Sequence, residues 1–75
     1  MSPQGRFAVR IRKLREQRGM TQEMLARRAK ISRVYVAQIE RKRQDPTLSV
    51  VVRLAKALKV KVGNLVDSRN RRGTP

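Results

Sequence analysis

Apolar residues recur along the chain at the three- and four-residue spacing of helices that bury one face. The first such segment begins at Arg6, and Gly19 after it can adopt the left-handed conformation that often ends a helix. The face predicted to point inward comprises Phe7, Ile11, Leu14 and Arg18. Residues 1–5 are predicted to form a flexible lead, and the folded domain is expected to span residues 6–67.

Two shorter helices are predicted next, each preceded by a hydroxyl side chain. Thr21 and Ser32 can accept hydrogen bonds from backbone N–H groups in the first turns of these helices. The apolar positions are Leu25, Ala26 and Ala29 in the second helix, and Val36 and Ile39 in the third. Two short helices that cross at a tight turn form a helix-turn-helix, and Ala26 supplies the small side chain needed at the crossing.

A fourth helix and a brief fifth helix complete the pattern. Thr47 is the predicted N-cap of the fourth helix. Its apolar stripe comprises Leu48, Val51, Leu54, Ala55 and Leu58. Three valines at 50–52 favour a strand, but the helix formers after them favour a helix. The fifth helix is predicted around residues 64–66, so the fold class is all-α, a compact five-helix bundle. Residues 68–75 are predicted to be a basic, disordered tail.

The charge of the chain indicates a polyanionic partner. Its 20 Lys and Arg outnumber five Asp and Glu, for a formal net charge of +15. A small fold with this charge repels itself, and DNA, RNA or an anionic membrane surface would each relieve the repulsion. Charge alone does not choose among them. A chain of 75 residues also has room for only one modest core.

Several classes of activity lack the residues they need. The chain has no histidine, and its five acids show no spacing typical of a metal site or of an acid–base pair. We therefore expect no enzyme, no metal and no cofactor. No apolar run approaches the roughly 20 residues of a membrane span. We expect no membrane partner and a cytoplasmic, nucleoid-associated location.

Six short segments, in this order and at these separations, resemble the Cro/repressor-type (XRE-family) helix-turn-helix domain from about Phe7 to Leu65. The segments are residues 11–15, 20–26, 31–33, 39–41, 46–48 and 54–58. The resemblance implies a lambda-repressor-like domain that binds double-stranded DNA sequence-specifically. It also implies that the helix at about 32–41 reads the major groove and that the bound protein blocks or recruits polymerase, with repression the expected role.

The resemblance assigns roles to particular residues. It implies that Arg33, Val34 and Gln38 face base edges, where they could contact guanine, a thymine methyl and adenine, respectively. Phosphate contacts are expected from Thr21, Gln22, Tyr35, Arg41, Lys42 and Arg43. The glutamine among these is also expected to brace the third helix. Arg15 and Glu40 match an ion pair that would clamp the third helix to the scaffold.

Three lysines stand where the family commonly has glycine, at Lys30, Lys42 and Lys59. Either each turn holds a left-handed lysine, at about 1 kcal/mol relative to glycine, or its geometry differs. Two of the three flank the expected DNA face and could offset this cost through phosphate contacts.

The family often pairs through its C-terminal end, and apolar residues there predict a homodimer. The expected interface comprises Val50, Val62, Leu65 and Val66. A dimer would bind two half-sites about 34 Å apart. Repulsion between subunits of charge +15 opposes pairing in the absence of DNA.

Other functions stay open at this point. An antitoxin with a toxin partner, or the controller of a restriction–modification operon, would have the same type of domain. A neighbouring toxin or endonuclease gene would identify either one. The extreme charge also suits a non-specific protein that packages nucleic acid or binds RNA, which would show no preference in competition with random duplex.

Overall fold

The computed structural model describes residues 3–65, which form five helices and no strand. These are α1 (Pro3–Gln17), α2 (Gln22–Ala29), α3 (Arg33–Glu40), α4 (Leu48–Leu58) and α5 (Val62–Leu65). Helix α2 packs against both α3 and α4, while α1 contacts α3 and α5. The prediction of an all-α, five-helix fold is confirmed. The tail expected at 68–75, and Val66 of the expected dimer interface, lie outside the described residues.

Helix α1 begins earlier than the apolar spacing predicts. Its first helical residue is Pro3, so residues 3–5, which the sequence predicted to form a flexible lead, lie within α1. Proline suits this position because its fixed φ matches a helix and a first-turn residue needs no N–H donor. Arg18, expected on the inward face, is exposed, and its Nε donates to the backbone oxygen of Leu58 at 2.7 Å.

Hydroxyl side chains fix the starts of three helices. Thr21, Ser32 and Thr47 each accept a hydrogen bond from the backbone N–H three residues later, at 3.0, 3.0 and 3.3 Å. Each hydroxyl satisfies one of the amides that a helix start leaves unpaired. All three predicted N-caps are confirmed, and two of them define α2 and α3, the helices of the helix-turn-helix.

The turns after α2, α3 and α4 each contain a left-handed lysine. The φ angles of Lys30, Lys42 and Lys59 are 61°, 64° and 58°. The residue after each lysine donates its N–H to the carbonyl five residues back, at 3.0, 2.8 and 2.9 Å. This is the closure that glycine commonly makes at a helix end. The turn geometry is therefore retained, and each lysine adopts a conformation that glycine would adopt with less strain.

One apolar core joins all five helices. Its most deeply buried large side chains are Ile11, Leu25, Val36, Ile39, Leu54, Leu58 and Leu65. Leu48, predicted in the buried stripe of α4, is instead 75% exposed. It is the first residue of α4 and lies at the edge of the apolar face, and Val50 is buried instead.

Two of the residues predicted to form a dimer interface belong to this core instead. Val50 is 7% exposed and Leu65 is 1% exposed, so neither side chain is available to a second protomer. Val62 is half-buried and packs against the same core. The prediction is corrected for the first two residues. A short chain with few aromatics needs these aliphatic side chains for its own interior.

Candidate nucleic-acid interface

Helix α3 has one side in the core and one side in solvent. Val36 and Ile39 are 0% and 2% exposed and anchor the inner side. Val34 is 57% exposed, and Gln38 lies one turn further along the same side. Arg33 is also exposed, at the first position of the helix. The structure thus presents to solvent all three side chains expected to contact bases.

A partly buried ion pair holds the C-terminal end of α3 against α1. The Arg15 Nε donates to Glu40 Oε2 at 2.7 Å, and the second fork nitrogen, Nη2, donates to Oε1 at 3.0 Å. The two side chains are only 11% and 4% exposed. A two-pronged contact of this kind fixes orientation as well as distance. The structure therefore brings Arg15 and Glu40 together as the resemblance implied.

Two further hydrogen bonds extend this pair to the start of α2. Gln22 Nε2 donates to Glu40 Oε1 at 3.0 Å, and Arg15 Nη1 donates to the Met20 carbonyl at 2.8 Å. The ends of α1 and α3 and the start of α2 are thus tied by one network. No buried side-chain nitrogen or oxygen in the described part of the chain lacks a partner.

The network also raises the pKa of Arg15 above its ordinary value. The main cause is the hydrogen bond to Glu40, assisted by the negative charges of Glu40 and Glu16, while burial opposes the shift. A raised folded-state pKa means that the stabilisation from this charge is fully present below the unfolded-state value. It is lost only as the pH rises through the folded-state pKa, so mild alkali leaves the clamp charged.

The residues expected to contact phosphate lie around the outward side of α3. Thr21 is exposed at the N-cap of α2, and the cations that follow α3, residues 41–43, are all exposed. Gln22 is half-buried because it donates to Glu40. Tyr35 is half-buried and packs against the core, so only part of its ring faces solvent.

Arg12 joins this surface although the sequence pattern gave it no role. It lines a groove of about 260 Å³ with Arg15, Gln22, Glu40 and Arg41. Its Nε donates to Glu16 at 3.2 Å, and its side chain is 65% exposed. The signal was its position three residues before Arg15, which places both on one side of α1.

Other kinds of site find no support within residues 3–65. No group of three or more acidic, histidine or cysteine side chains comes together there that could hold a metal ion. None of the helices in this range combines the length and apolarity needed to cross a bilayer.

An exposed second helix, fixed across a short turn from the first, defines the helix-turn-helix class of nucleic-acid-binding domains. Comparison with known proteins agrees. The helix-turn-helix family model matches residues 11–65, and the chain belongs to this family.

Relatives of known function add detail. The immunity repressor protein of Bacillus phage phi105 is 44% identical over 57 residues, which are 76% of this chain and 40% of the repressor. The chain thus spans less than half the length of that relative. The crystal structure of the restriction-modification controller protein C.AhdI from Aeromonas hydrophila superposes with a TM-score of 0.81 at 34% identity, over 83% of this chain and 94% of that one.

One structural relative has been crystallised in complex with DNA. The restriction-modification controller protein C.Esp1396I was crystallised as a tetramer in complex with its natural 35 base-pair operator. Its TM-score with this chain is 0.77 at 31% sequence identity, covering 81% of this chain and 80% of that one.

Proposed function

We propose that this protein is a sequence-specific, double-stranded DNA-binding regulator that represses transcription from the sites it occupies. The observation that carries the proposal is the outward side of α3. Three side chains suited to base edges are exposed there, on a helix whose opposite side is buried and ion-paired. Relatives named as a phage repressor and as controller proteins support this function.

Base reading rests on Arg33, Val34 and Gln38. An arginine fork pairs with guanine O6 and N7, and a glutamine amide pairs with adenine N6 and N7. Val34, at 57% exposure, offers an apolar surface to a thymine methyl group. Because the ion pair fixes α3 before DNA arrives, little ordering of the helix is needed on binding.

Phosphate contacts supply the affinity that is independent of sequence. Arg41, Lys42 and Arg43 follow α3 directly, where they can hold the backbone at one edge of the groove. Arg12 on α1 lines the same groove as Arg41, so it can contact phosphate beside that residue. Thr21 is exposed at the N-cap of α2. Each phosphate neutralised releases counterions, so the affinity should fall steeply as salt increases.

Repression follows from occupancy by a homodimer. One α3 reads only a half-site, and two-fold pairing places two such helices about one DNA turn apart. Since Val50 and Leu65 are buried, we infer that the pairing surface uses Leu48, which is 75% exposed, and the partly exposed Val52 one turn later. Leu48→Asp should then shift the protein to monomer in sedimentation velocity, whereas Val9→Asp on α1 should leave its oligomeric state unchanged.

Selection of bound sequences from a pool of random duplexes tests the proposal directly. We expect enrichment of one motif in two inverted copies, with centres one or more helical turns apart. Recovery of random sequences after several rounds would overturn sequence-specific binding. A single, uninverted motif would overturn the homodimer but retain base reading by α3.

Control of a restriction–modification operon is a second candidate function. The observation that favours it is the C.AhdI superposition, which covers 94% of that controller protein. A controller would bind upstream of an endonuclease gene. Binding of the selected motif beside such a gene would support this assignment, and its absence there would favour the general repressor.

A further inference from the structure

A second strongly basic surface lies where the end of α1, the C-terminal half of α2 and the exposed side of α4 meet. Two neighbouring grooves of about 240 and 480 Å³ are found there, and Arg28 lines both. The cations that line them, called here the α2–α4 basic surface, are Arg18, Arg28, Lys30, Arg53, Lys56 and Lys59. This surface has six cations, whereas four lie on or directly after α3: Arg33, Arg41, Lys42 and Arg43.

Among residues 3–65, no acidic side chain lines either groove. Glu16, Glu23 and Glu40 pair with arginines that are not part of this surface. Arg18 is held by the carbonyl oxygen of Leu58 rather than by a carboxylate. The positive charge of the α2–α4 basic surface is therefore not neutralised by the residues that line the grooves.

Two of these cations occupy strained backbone positions. Lys30 and Lys59 are left-handed, while the corresponding turn after α1 uses a glycine, Gly19. Glycine would close the other two turns with less strain, but it would remove a charge from each groove. The two lysines lie at the ends of different helices, yet both line this surface. Because Lys59 lies away from α3, a phosphate contact beside α3 does not account for a lysine at this turn.

The α2–α4 basic surface is separate from the α3 side. Helix α2 packs against both α3 and α4, and so lies between them. Arg53 and Lys56 are on the exposed side of α4, three residues apart on one helix face. Lys30, which the sequence placed beside the expected DNA face, lines one of these grooves instead. None of the residues assigned to base contact, nor any of the other phosphate contacts, lines either groove. A ligand held here would therefore leave α3 free.

The side chains present suit a duplex backbone better than other polyanions. The exposed large apolar residues of the described chain are Val9, Met24, Val34 and Leu48, and none lines these grooves. Protein interfaces depend on apolar and aromatic anchors, and single-stranded nucleic acid binds by stacking on aromatic rings. A duplex presents dense, regular phosphate charge and needs neither.

We propose that the α2–α4 basic surface binds the phosphate backbone of a second segment of duplex DNA, whatever its sequence, while α3 holds a first segment. One protein molecule then bridges two segments. The role of α3 in this arrangement rests on the proposed function. The second contact does not, because it requires no base reading.

Energy transfer between two random-sequence 30-base-pair duplexes, one with a donor dye and one with an acceptor, measures bridging by the full chain. The test variant is Arg53→Gln/Lys56→Gln. The matched control is Lys13→Gln/Lys61→Gln, which removes the same charge from exposed positions outside both grooves. Thermal unfolding confirms that both variants fold.

We expect the test variant to lose most of the energy transfer while still binding a single labelled duplex. The affinity for the second duplex should fall about tenfold at low salt, and its salt slope should decrease by about 1.8, or 0.9 for each phosphate that is no longer neutralised. The control should bridge like the unmodified protein. Because random duplexes are used, a failure of base reading would appear only in the selection experiment and not here.

Three results would overturn the proposal. Equal losses in the test and control variants would mean that the surface acts only through net charge. Unchanged bridging in the test variant would mean that two α3 helices of a dimer hold the two duplexes. Loss of binding to a fluorescent glutamate-rich peptide, with bridging unchanged, would assign the surface to an acidic protein.

Discussion

The two sides of α3 differ in burial and in how their polar groups are paired, although the helix has only eight residues. On the inner side, Val36 and Ile39 are buried and the Glu40 carboxylate is ion-paired with 4% of its side chain exposed. On the outer side, Arg33 and Gln38 are exposed. The inner side fixes where the helix lies and the outer side decides what it touches. Stability and specificity should therefore respond to different substitutions.

Removal of Glu40 should have the largest effect on stability. Glu40→Ala leaves the charge of Arg15, which is 11% exposed, without its carboxylate, and it also removes the acceptor of Gln22. Loss of one partner from a deeply buried pair costs about 3–5 kcal/mol, so the loss from this partly buried pair should lie toward the lower end of that range. An ordinary domain has a total stability of about 5–15 kcal/mol. Urea unfolding followed by circular dichroism measures the change in the free energy of unfolding.

The matched control for this experiment is Glu23→Ala. Glu23 also pairs with an arginine, at 3.1 Å, but both side chains are more than half exposed, at 66% and 74%. Exposed pairs contribute about 0–1 kcal/mol because water already solvates both charges. Equal destabilisation by the two substitutions would contradict the role given to the inner side of α3.

Substitutions on the outer side should change sequence discrimination and leave stability nearly unaltered. Arg33→Ala and Gln38→Ala should each reduce the preference for the selected motif over a single-base variant by about 1–3 kcal/mol, because each removes one two-pronged base contact. The measurement is competition between the motif and its variant at fixed salt. The urea midpoint of both variants should match that of the unmodified protein.

Arg43→Ala separates base reading from charge. Arg43 is exposed just beyond α3, where it is assigned to phosphate. Its removal should weaken binding to all duplexes alike and lower the salt slope by about 0.9. If Arg33→Ala gave this same uniform loss, Arg33 would be a phosphate contact and not a base contact.

The features that the sequence predicted well are local ones. The helices follow from the spacing of apolar side chains. The caps follow from hydroxyls that accept hydrogen bonds from backbone N–H groups three residues later, as at Thr21 and Ser32. The Arg15–Glu40 contact spans 25 residues and was inferred from a family resemblance, since nothing in its spacing indicates it.

The features missed depend on how helices pack. An apolar residue on a helix is buried only if another element covers it. For this reason Leu48 is exposed whereas Val50 and Leu65 are buried. Arg12 and the α2–α4 basic surface were missed for the same reason. The cations of that surface come from three parts of the chain, and only the packing of α1, α2 and α4 brings them together.

Replacement of left-handed lysines by glycine gives the smallest expected effect and sharpens the contrast between charge and conformation. Lys42→Gly and Lys59→Gly both relieve a positive φ, which costs about 1 kcal/mol for lysine relative to glycine. The greater freedom of glycine in the unfolded chain offsets about half of this gain, so each substitution should stabilise the fold by about 0.5 kcal/mol. Only Lys42 flanks the outer side of α3. Lys42→Gly alone should therefore weaken binding to the selected motif, with a salt slope lower by about 0.9. Fluorescence anisotropy across a salt series measures both variants, and equal losses would show that Lys42 acts only through net charge.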